Sequence, residues 1–308
     1  LKPYGKLSYF YLFSVQRLGL TLSSNLYMKQ IMSFETKLSS AFLNVNKVFP
    51  FESVIGKSTF YSVRAVMREL RQFIPVIKGQ RLLDIGCGPM NKTGIFHEMG
   101  FQCYAADDLS DPWHKTKGNI QKIKDYAKEL GMVFHHQSNG DYSIPFEKNS
   151  FDVVCSFSVI EHLHESPREM LNAMGVFAKV GGLLVITMPN SVNFRKRLSV
   201  LLGRTNYPPV DQVYHSSGTW RGHVREYTLK EVEYICRQSG FEVISTNHVE
   251  HLAQTKLKSP MRQIYMAIGF LIPTTRSSLL VICRKPASWT PSRYDQDLFS
   301  AFRPKRLI

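Results

Sequence analysis

The stretch RLLDIGCGPM, Arg81 to Met90, constrains this chain more than any other. A short apolar run meets an acid and then two glycines one residue apart. That reads as a strand feeding a tight turn that opens a helix. In an open parallel sheet, ligands bind beyond the carboxyl ends of the strands, where the strand order reverses. A glycine turn there brings backbone N–H groups close to a ligand at a helix N-terminus. The pattern is D-x-G-x-G, not the dinucleotide G-x-G-x-x-G, because Asn91 stands where the third glycine is needed. No G-K-[ST] follows, which excludes a P-loop. Asp84 would repel a pyrophosphate and suits a ligand with a positive amino group.

From residue 80 onward, short apolar runs alternate with helical stretches. Strands are expected at 81–85, 101–107, 132–137, 151–157 and 181–189. Helices are expected near 94–99, at 119–131 and at 166–180, the last with Ser166 as cap and Pro167 at its first position. Such βαβα alternation implies a parallel sheet with helices on both faces. A further helix, capped by Thr228, should run over 228–240, with strands at 241–249 and 278–285. Residues 1–79 have helical punctuation: Phe60, Val63, Val66, Met67, Leu70 and Phe73 recur at three-to-four spacing, with Ser58 as cap and Pro75 as stop. The tail from Pro286 is expected to lie extended over the surface.

Charge divides the chain. Residues 1–80 carry +8, residues 81–190 carry −3 and residues 191–308 carry +10. The basic flanks can face a nucleic acid, a phospholipid surface or a phosphorylated substrate, or serve solubility alone. The apolar runs at 9–20 and 264–272 are too short to span a bilayer, and no small-residue cleavage site follows the first. Five scattered cysteines without a CxxC pair argue against a disulfide framework and for a reducing, cytoplasmic setting. No His/Cys cluster has zinc-like spacing, so no metal site is expected.

Several segments in order then carry a resemblance: LDIGCGP at 83–89, AADDLS at 105–110, NGDYSIPFEKNSFDVV at 139–154, SVIEHLHE at 158–165, VGGLLVITMPN at 180–190 and GHVREYTLKEVEYICRQSGFEV at 222–243. Over residues 80–285 the chain resembles the class I S-adenosylmethionine-dependent methyltransferases. The resemblance implies an α/β, Rossmann-like, seven-stranded and mostly parallel sheet with helices on both faces. It adds a helical N-terminal extension over 1–79, a substrate-cap insert over 191–227, a helical insertion over 250–277 and a tail over 286–308.

It also implies roles. Gly86 and Gly88 would lie under the methionyl and ribose part of S-adenosylmethionine, with Cys87 between them. Asp84 would face the amino group. Asp108 would accept both ribose hydroxyls, with Leu109 beside it, while Asp107 should point to the other face of its strand. Asp141, next to Tyr142, would take the adenine amino group. Phe157 and Ser158 would lie near the sulfonium. Met90 departs from the pattern, since many relatives carry glycine there. Other readings stand beside these: Asp108 as the cap of a turn with Ser110, Asp141 as a turn residue, and Glu161 with His162 as a helix-start pair that holds its loop.

A sulfonium already makes its methyl group electrophilic, so the protein must align a nucleophile and exclude water. A sugar hydroxyl would need a general base. The insert supplies His223 and His215 as candidates, or else His223 and Arg225 only tie it to the core. Tyr214 and Trp220 suit carbohydrate or flat faces, and Arg221 and Arg225 suit an anionic group. GHVREYT, NFRKRL and GRTNYP resemble uncharacterised methyltransferases of polysaccharide clusters, with ubiquinone-type O-methyltransferases further off. The expected acceptor is a small molecule, a glycan or a lipid-linked glycan. Nucleic acid is the weaker candidate, because FSVIEH stands where an N/D-P-P-Y-type motif would be. Contact with an anionic membrane through the two apolar runs, even as a non-catalytic scaffold, is a further expectation. Nothing in the sequence speaks to oligomeric state.

Overall fold

The computed structural model describes residues 23–51, 55–137, 142–251 and 258–293, with side chains of the first helix from residue 32 onward. Asp141 and the apolar run at 9–20 lie outside the described residues. The elements are α1 (Ser23–Val48), α2 (Lys57–Leu70), β1 (Arg81–Ile85), α3 (Asn91–Glu98), β2 (Gln102–Asp107), α4 (Asn119–Leu130), β3 (Val133–His136) and β4 (Phe151–Phe157). A 3-10 turn (Ile160–His162), α5 (Arg168–Phe177), β5 (Ala178–Pro189), α6 (Phe194–Leu201), α7 (Val210–Tyr214), α8 (Leu229–Gln238), β6 (Glu242–Val249), α9 (Met261–Leu271) and β7 (Ser278–Arg284) follow.

One sheet has the order β3-β2-β1-β4-β5-β7-β6. β1 to β5 are parallel, and β7 runs antiparallel between β5 and β6. This is the Rossmann-like sheet the sequence implies. The strand order reverses at β1, whose neighbours are β2 and β4. The glycine loop therefore leaves β1 at the switch point.

Strand alternation divides the core. Leu82, Cys103, Val153, Cys155, Val185 and Ile282 pack toward α1–α4, against Leu38, Val66, Phe96 and Ile123. Leu83, Ile85, Val154, Ile186, Val281 and Cys283 pack toward α5 and α8, against Met170, Met174 and Val232. Each fully buried aliphatic side chain contributes about 1.5–3 kcal/mol by leaving water. On α1, Phe34, Leu38, Ala41 and Val45 make a stripe at helical spacing. Glu35 of α1 pairs with Arg64 at 2.8 Å and Arg68 at 2.5 Å, which joins α1 to α2. All five cysteines are buried and free.

Three local expectations change. Ser58 does not cap α2: the helix starts at Lys57 behind Gly56, and the Ser58 hydroxyl lies 3.2 Å from His251 Nδ1. The helix ends at Leu70, ahead of Pro75. The helix expected to reach residue 180 stops at Phe177, because Ala178 pairs with Phe151 and begins β5. The described start of the tail, to residue 293, lies along the surface as expected, and Trp289 anchors it by stacking on Phe241 at 5.7 Å and donating its Nε1–H to Ser239 O at 2.9 Å. The run at 264–272 lies on α9 and just beyond it, and it is not core, since Phe270 and Leu271 are 79% and 76% exposed. No described helix is long and apolar enough to cross a membrane.

Trp289 fills the space where a Gly175 side chain would stand, its Cζ2 lying 2.2 Å from a Cβ built there. Helix propensity alone favours Gly175→Ala in α5 by up to about 1 kcal/mol. Overpacking against the indole should reverse that sign, lowering unfolding stability by about 1–3 kcal/mol. Denaturant melts of Gly175→Ala, Trp289→Ala and the double variant check this. The double variant should lose far less than the sum of the two, since both single changes break one contact.

Candidate active site

The glycine loop is held from three sides. Gly86 and Cys87 donate their N–H groups to Ala106 O at 2.8 and 3.3 Å. Gly86 has φ +77°, and a Cβ there would lie 2.6 Å from Val159 Cγ2, so only glycine fits. Gly88, at φ +52°, has nothing within 4 Å of a Cβ position and leaves open space above the turn. Met90 takes a left-handed backbone, φ 61° and ψ 26°, where glycine is the easy residue. Its side chain is fully buried, and that burial offsets a backbone cost of about 1–2 kcal/mol.

Two of the acids do not stand where the sequence placed them, Asp107 and Asp108. Asp107 ends β2, and its carboxylate turns into the loop, contrary to the expected outward face. Its Oδ2 accepts the Gly88 N–H and its Oδ1 the Leu109 N–H, both at 2.7 Å. Asp108 is exposed, and its Oδ1 accepts the N–H of Ser110 at 2.8 Å, the turn-cap alternative. Asp84 is buried, with Oδ2 accepting the Thr93 hydroxyl at 2.6 Å and Oδ1 without a partner. Leu109 is buried at φ 45°, and Tyr142 at φ 55° and Ser158 at φ 62° share that uncommon backbone region. Together with Met90, these strained positions gather at the carboxyl edge of the sheet, as strain at ligand sites does. Phe157 stacks on Phe96 at 5.3 Å, and Lys92 Nζ lies 5.4 Å from its ring centre.

The residues suit the cofactor that the resemblance implies. The turn is open above Gly88, Leu109 supplies a buried apolar wall, and Asp84 Oδ1 is an unpaired acceptor for an amino group.

Beside the loop lies a second cluster. Glu161 is fully buried, and neither carboxylate oxygen has a partner. Its backbone oxygen accepts the N–H groups of Val224 and Arg225 at 2.7 and 3.2 Å, pinning the insert to the turn after β4. His223 Nδ1 lies 2.7 Å from Glu226 Oε1, and Glu226 also pairs with the buried Lys196 of α6. His162 Nδ1 lies 2.9 Å from Arg221 O, its ring 4.9 Å from that of His223. The Glu226 hydrogen bond raises the His223 pKa, and burial lowers that of His162. Burial pushes Glu226 up, but the hydrogen bonds from His223 and Lys196 outweigh it and leave its pKa low. Glu161, His162 and His223 each offer a ligand atom within 4.8 Å of the others, so this donor set can take a divalent cation, which the sequence did not suggest.

The structure therefore brings His223 to the loop after β4 and leaves His215 exposed beside Tyr214. Tyr214 is 80% exposed. Arg225 pairs with Glu231 at 3.0 Å and lies over Tyr227. Trp220 is half-buried, its Nε1–H directed to His223 O at 3.4 Å, and Arg221 is exposed. These four do not converge on one pocket. Asp107, Glu226, Lys92 and the Glu161 carboxylate were missed as site residues.

Burial raises Asp84 from 3.8 to about 7, Glu161 from 4.5 to about 7, and Asp107 from 3.8 to about 6, in the last against its two amide hydrogen bonds. These three acids bind more protons in the folded than in the unfolded chain between about pH 4 and 7, so their contribution to stability falls as pH rises through that window. His223, also raised, acts in the same direction. The lowered His114, His162, His248, Glu226 and Glu231 act the other way and reduce the net slope. Denaturant melts should give ligand-free protein a stability greater at pH 5.5 than at pH 7.5, by about 1–3 kcal/mol. Equal stability at the two values would contradict the burial of these acids.

The chain matches the family profile described as "Methyltransferase domain" over residues 60–246. A ubiquinone biosynthesis O-methyltransferase of Roseobacter denitrificans is 30% identical over 113 residues, 37% of this chain and 42% of that protein. The protein of the same name from Rickettsia felis is 25% identical over 178 residues, 58% of this chain and 66% of that protein. The chain spans about half the length of the curated relatives it matches, 42% of the first and 46% of another. Among solved structures, Haemonchus contortus phosphoethanolamine N-methyltransferase 2 with S-adenosyl-L-methionine is similar at a TM-score of 0.46 and 19% identity, over 80% of this chain and 56% of that one.

Proposed function

The chain belongs to the methyltransferase-domain family, and from that premise we propose that it transfers a methyl group from S-adenosylmethionine to an oxygen of a small acceptor. The carrying observation is the glycine loop clamped by Asp107 at the switch point of the sheet. The relatives named for O-methylation support oxygen as the receiving atom. A sugar or lipid-linked glycan is the acceptor we favour. The exposed apolar helix α9, with Lys258 and Arg262 beside it, supports an acceptor presented at an anionic lipid surface.

The bound cofactor supplies an electrophilic methyl on its sulfonium. Asp107, not Asp108, holds the ribose: each of its oxygens keeps a lone pair after its amide bond. Asp84 Oδ1 takes the amino group. Leu109 and Tyr142 wall the adenine, and Phe157 and Ser158 stand toward the reacting end. His223, oriented through Nδ1 by Glu226, accepts the acceptor's hydroxyl proton at its other nitrogen.

Calorimetric titration of S-adenosylmethionine and S-adenosylhomocysteine tests the first part. Wild type should bind both at about micromolar Kd. Asp107→Asn should weaken binding about tenfold or more, and Asp108→Asn by less than about twofold. The reverse pattern would return the ribose to Asp108, and no binding by folded wild type would sink the cofactor assignment.

His223→Ala should lower kcat about a hundredfold or more with cofactor affinity kept. The orphaned Glu161 favours a second reading, in which Glu161, His162 and His223 would hold a divalent cation, which would lower the pKa of a bound acceptor hydroxyl so that its proton could pass to solvent. Activity lost on chelation and restored by added magnesium or zinc selects that reading, and activity indifferent to chelation selects the base.

A further inference from the structure

A cavity of about 120 Å³ lies where α2 crosses the carboxyl edge of the sheet. Its polar lining is mostly hydroxyl: Ser58, Thr59 and Ser62 from α2, Ser158 after β4, Thr187 of β5 and Ser278 of β7. Val66, Met188 and Leu280 give it an apolar side. His251 joins roof to floor, with Nδ1 3.2 Å from Ser58 Oγ and Nε2 2.8 Å from Ser278 Oγ.

Two groups in this lining are incompletely satisfied: Thr187 has no hydrogen bond, and Lys92 faces only the ring of Phe157 at 5.4 Å. Thr187 is 8% exposed, and its Oγ1 is buried without a hydrogen bond. A buried hydroxyl left unpaired costs about 1–3 kcal/mol, which a ligand hydroxyl would relieve. Lys92 at the start of α3 also lines the cavity, and among the described residues its ammonium forms no salt bridge. Asp84 and Glu161 act on it only from beyond ion-pair distance, and burial lowers its pKa. The glycines that cradle the cofactor do not line this space. Most of its walls come from α2, β5, β7 and the end of β6, with Lys92 and Ser158 joining it to the cofactor side.

We propose that this cavity receives the acceptor, and that the acceptor is a polyhydroxylated compound bearing a phosphate or carboxylate that pairs with Lys92. The hydroxyl-rich lining matches sugar hydroxyls, and the desolvated ammonium matches a single anionic group. Ser158 belongs both to this lining and to the residues placed at the reacting end, so one acceptor hydroxyl would lie beside the methyl donor. The proposal rests on the methyl-transfer reading above. It moves the acceptor away from Tyr214, Arg221 and Arg225.

The anion could instead be the cofactor's own carboxylate, and the test separates the two. Full-length protein saturated with S-adenosylhomocysteine is titrated with glucose 6-phosphate, glycerol 3-phosphate and inorganic phosphate, with glucose as the uncharged control. We expect wild type to bind at least one of the phosphates, and glucose far more weakly. Lys92→Gln should weaken that phosphate at least tenfold while leaving S-adenosylhomocysteine affinity within twofold. Thr187→Val, which keeps shape and removes the hydroxyl, should weaken a sugar phosphate severalfold and inorganic phosphate not at all.

Wild type that holds none of the three phosphates overturns the proposal. So does a Lys92→Gln protein that loses S-adenosylhomocysteine tenfold yet keeps methylthioadenosine, which lacks the carboxylate; Lys92 would then serve the cofactor. Failure of wild type to bind S-adenosylhomocysteine at all overturns the underlying reading, and it is seen before any phosphate is added. Thermal melts of both variants establish that each is folded.

Discussion

The structure turns on one carboxylate. Asp107 receives amide hydrogen bonds from the glycine loop and from its own turn, and so locks the end of β1 to the end of β2. That clamp adds to the Gly86 and Cys87 N–H bonds to Ala106 O, and it is the one that reaches Gly88. The wedge of Val159 against Gly86 adds the second constraint, tying the same loop to the segment after β4. Three chain crossings thus meet within one turn of backbone, and the ligand edge is rigid there because each crossing limits the other two.

Rigidity at this edge is bought with buried acid. Asp84 and Glu161 retain oxygens without partners, and Thr187 retains a hydroxyl. A core optimised only for stability would not keep them, since unpaired buried polar groups cost free energy that apolar side chains of like shape would not. Met90, Leu109, Tyr142 and Ser158 add backbone strain at the same edge. The rest of the sheet, with its two continuous apolar faces, offsets these costs.

Much of this was legible in the sequence because period and punctuation are local properties. The strands, the glycine loop and the helix cap at Thr228 each announce themselves within ten residues, and the capping box with Glu231 is present. The choice between Asp107 and Asp108 was not legible. Alternation orients side chains only inside a strand, and β2 ends between the two. Nor was the convergence of Lys196, Glu226 and His223, which needs α6 folded back over the insert. Tyr214 and Arg221 have the right chemistry for recognition, but the structure leaves them in solvent. Conversely, serines on α2 that look like ordinary helix surface line a cavity, because the sheet edge beneath them is invisible to sequence periodicity.

The antiparallel course of β7 between β5 and β6 brings the start of β7 and the end of β6 to the same edge as the ends of the parallel strands. The β1–β2 half of the edge carries the cofactor loop, and the β5–β7–β6 half carries most of the cavity. The two halves meet at Ser158 and Lys92, so the face of α2 that roofs the cavity can vary without touching the glycine loop or its clamp.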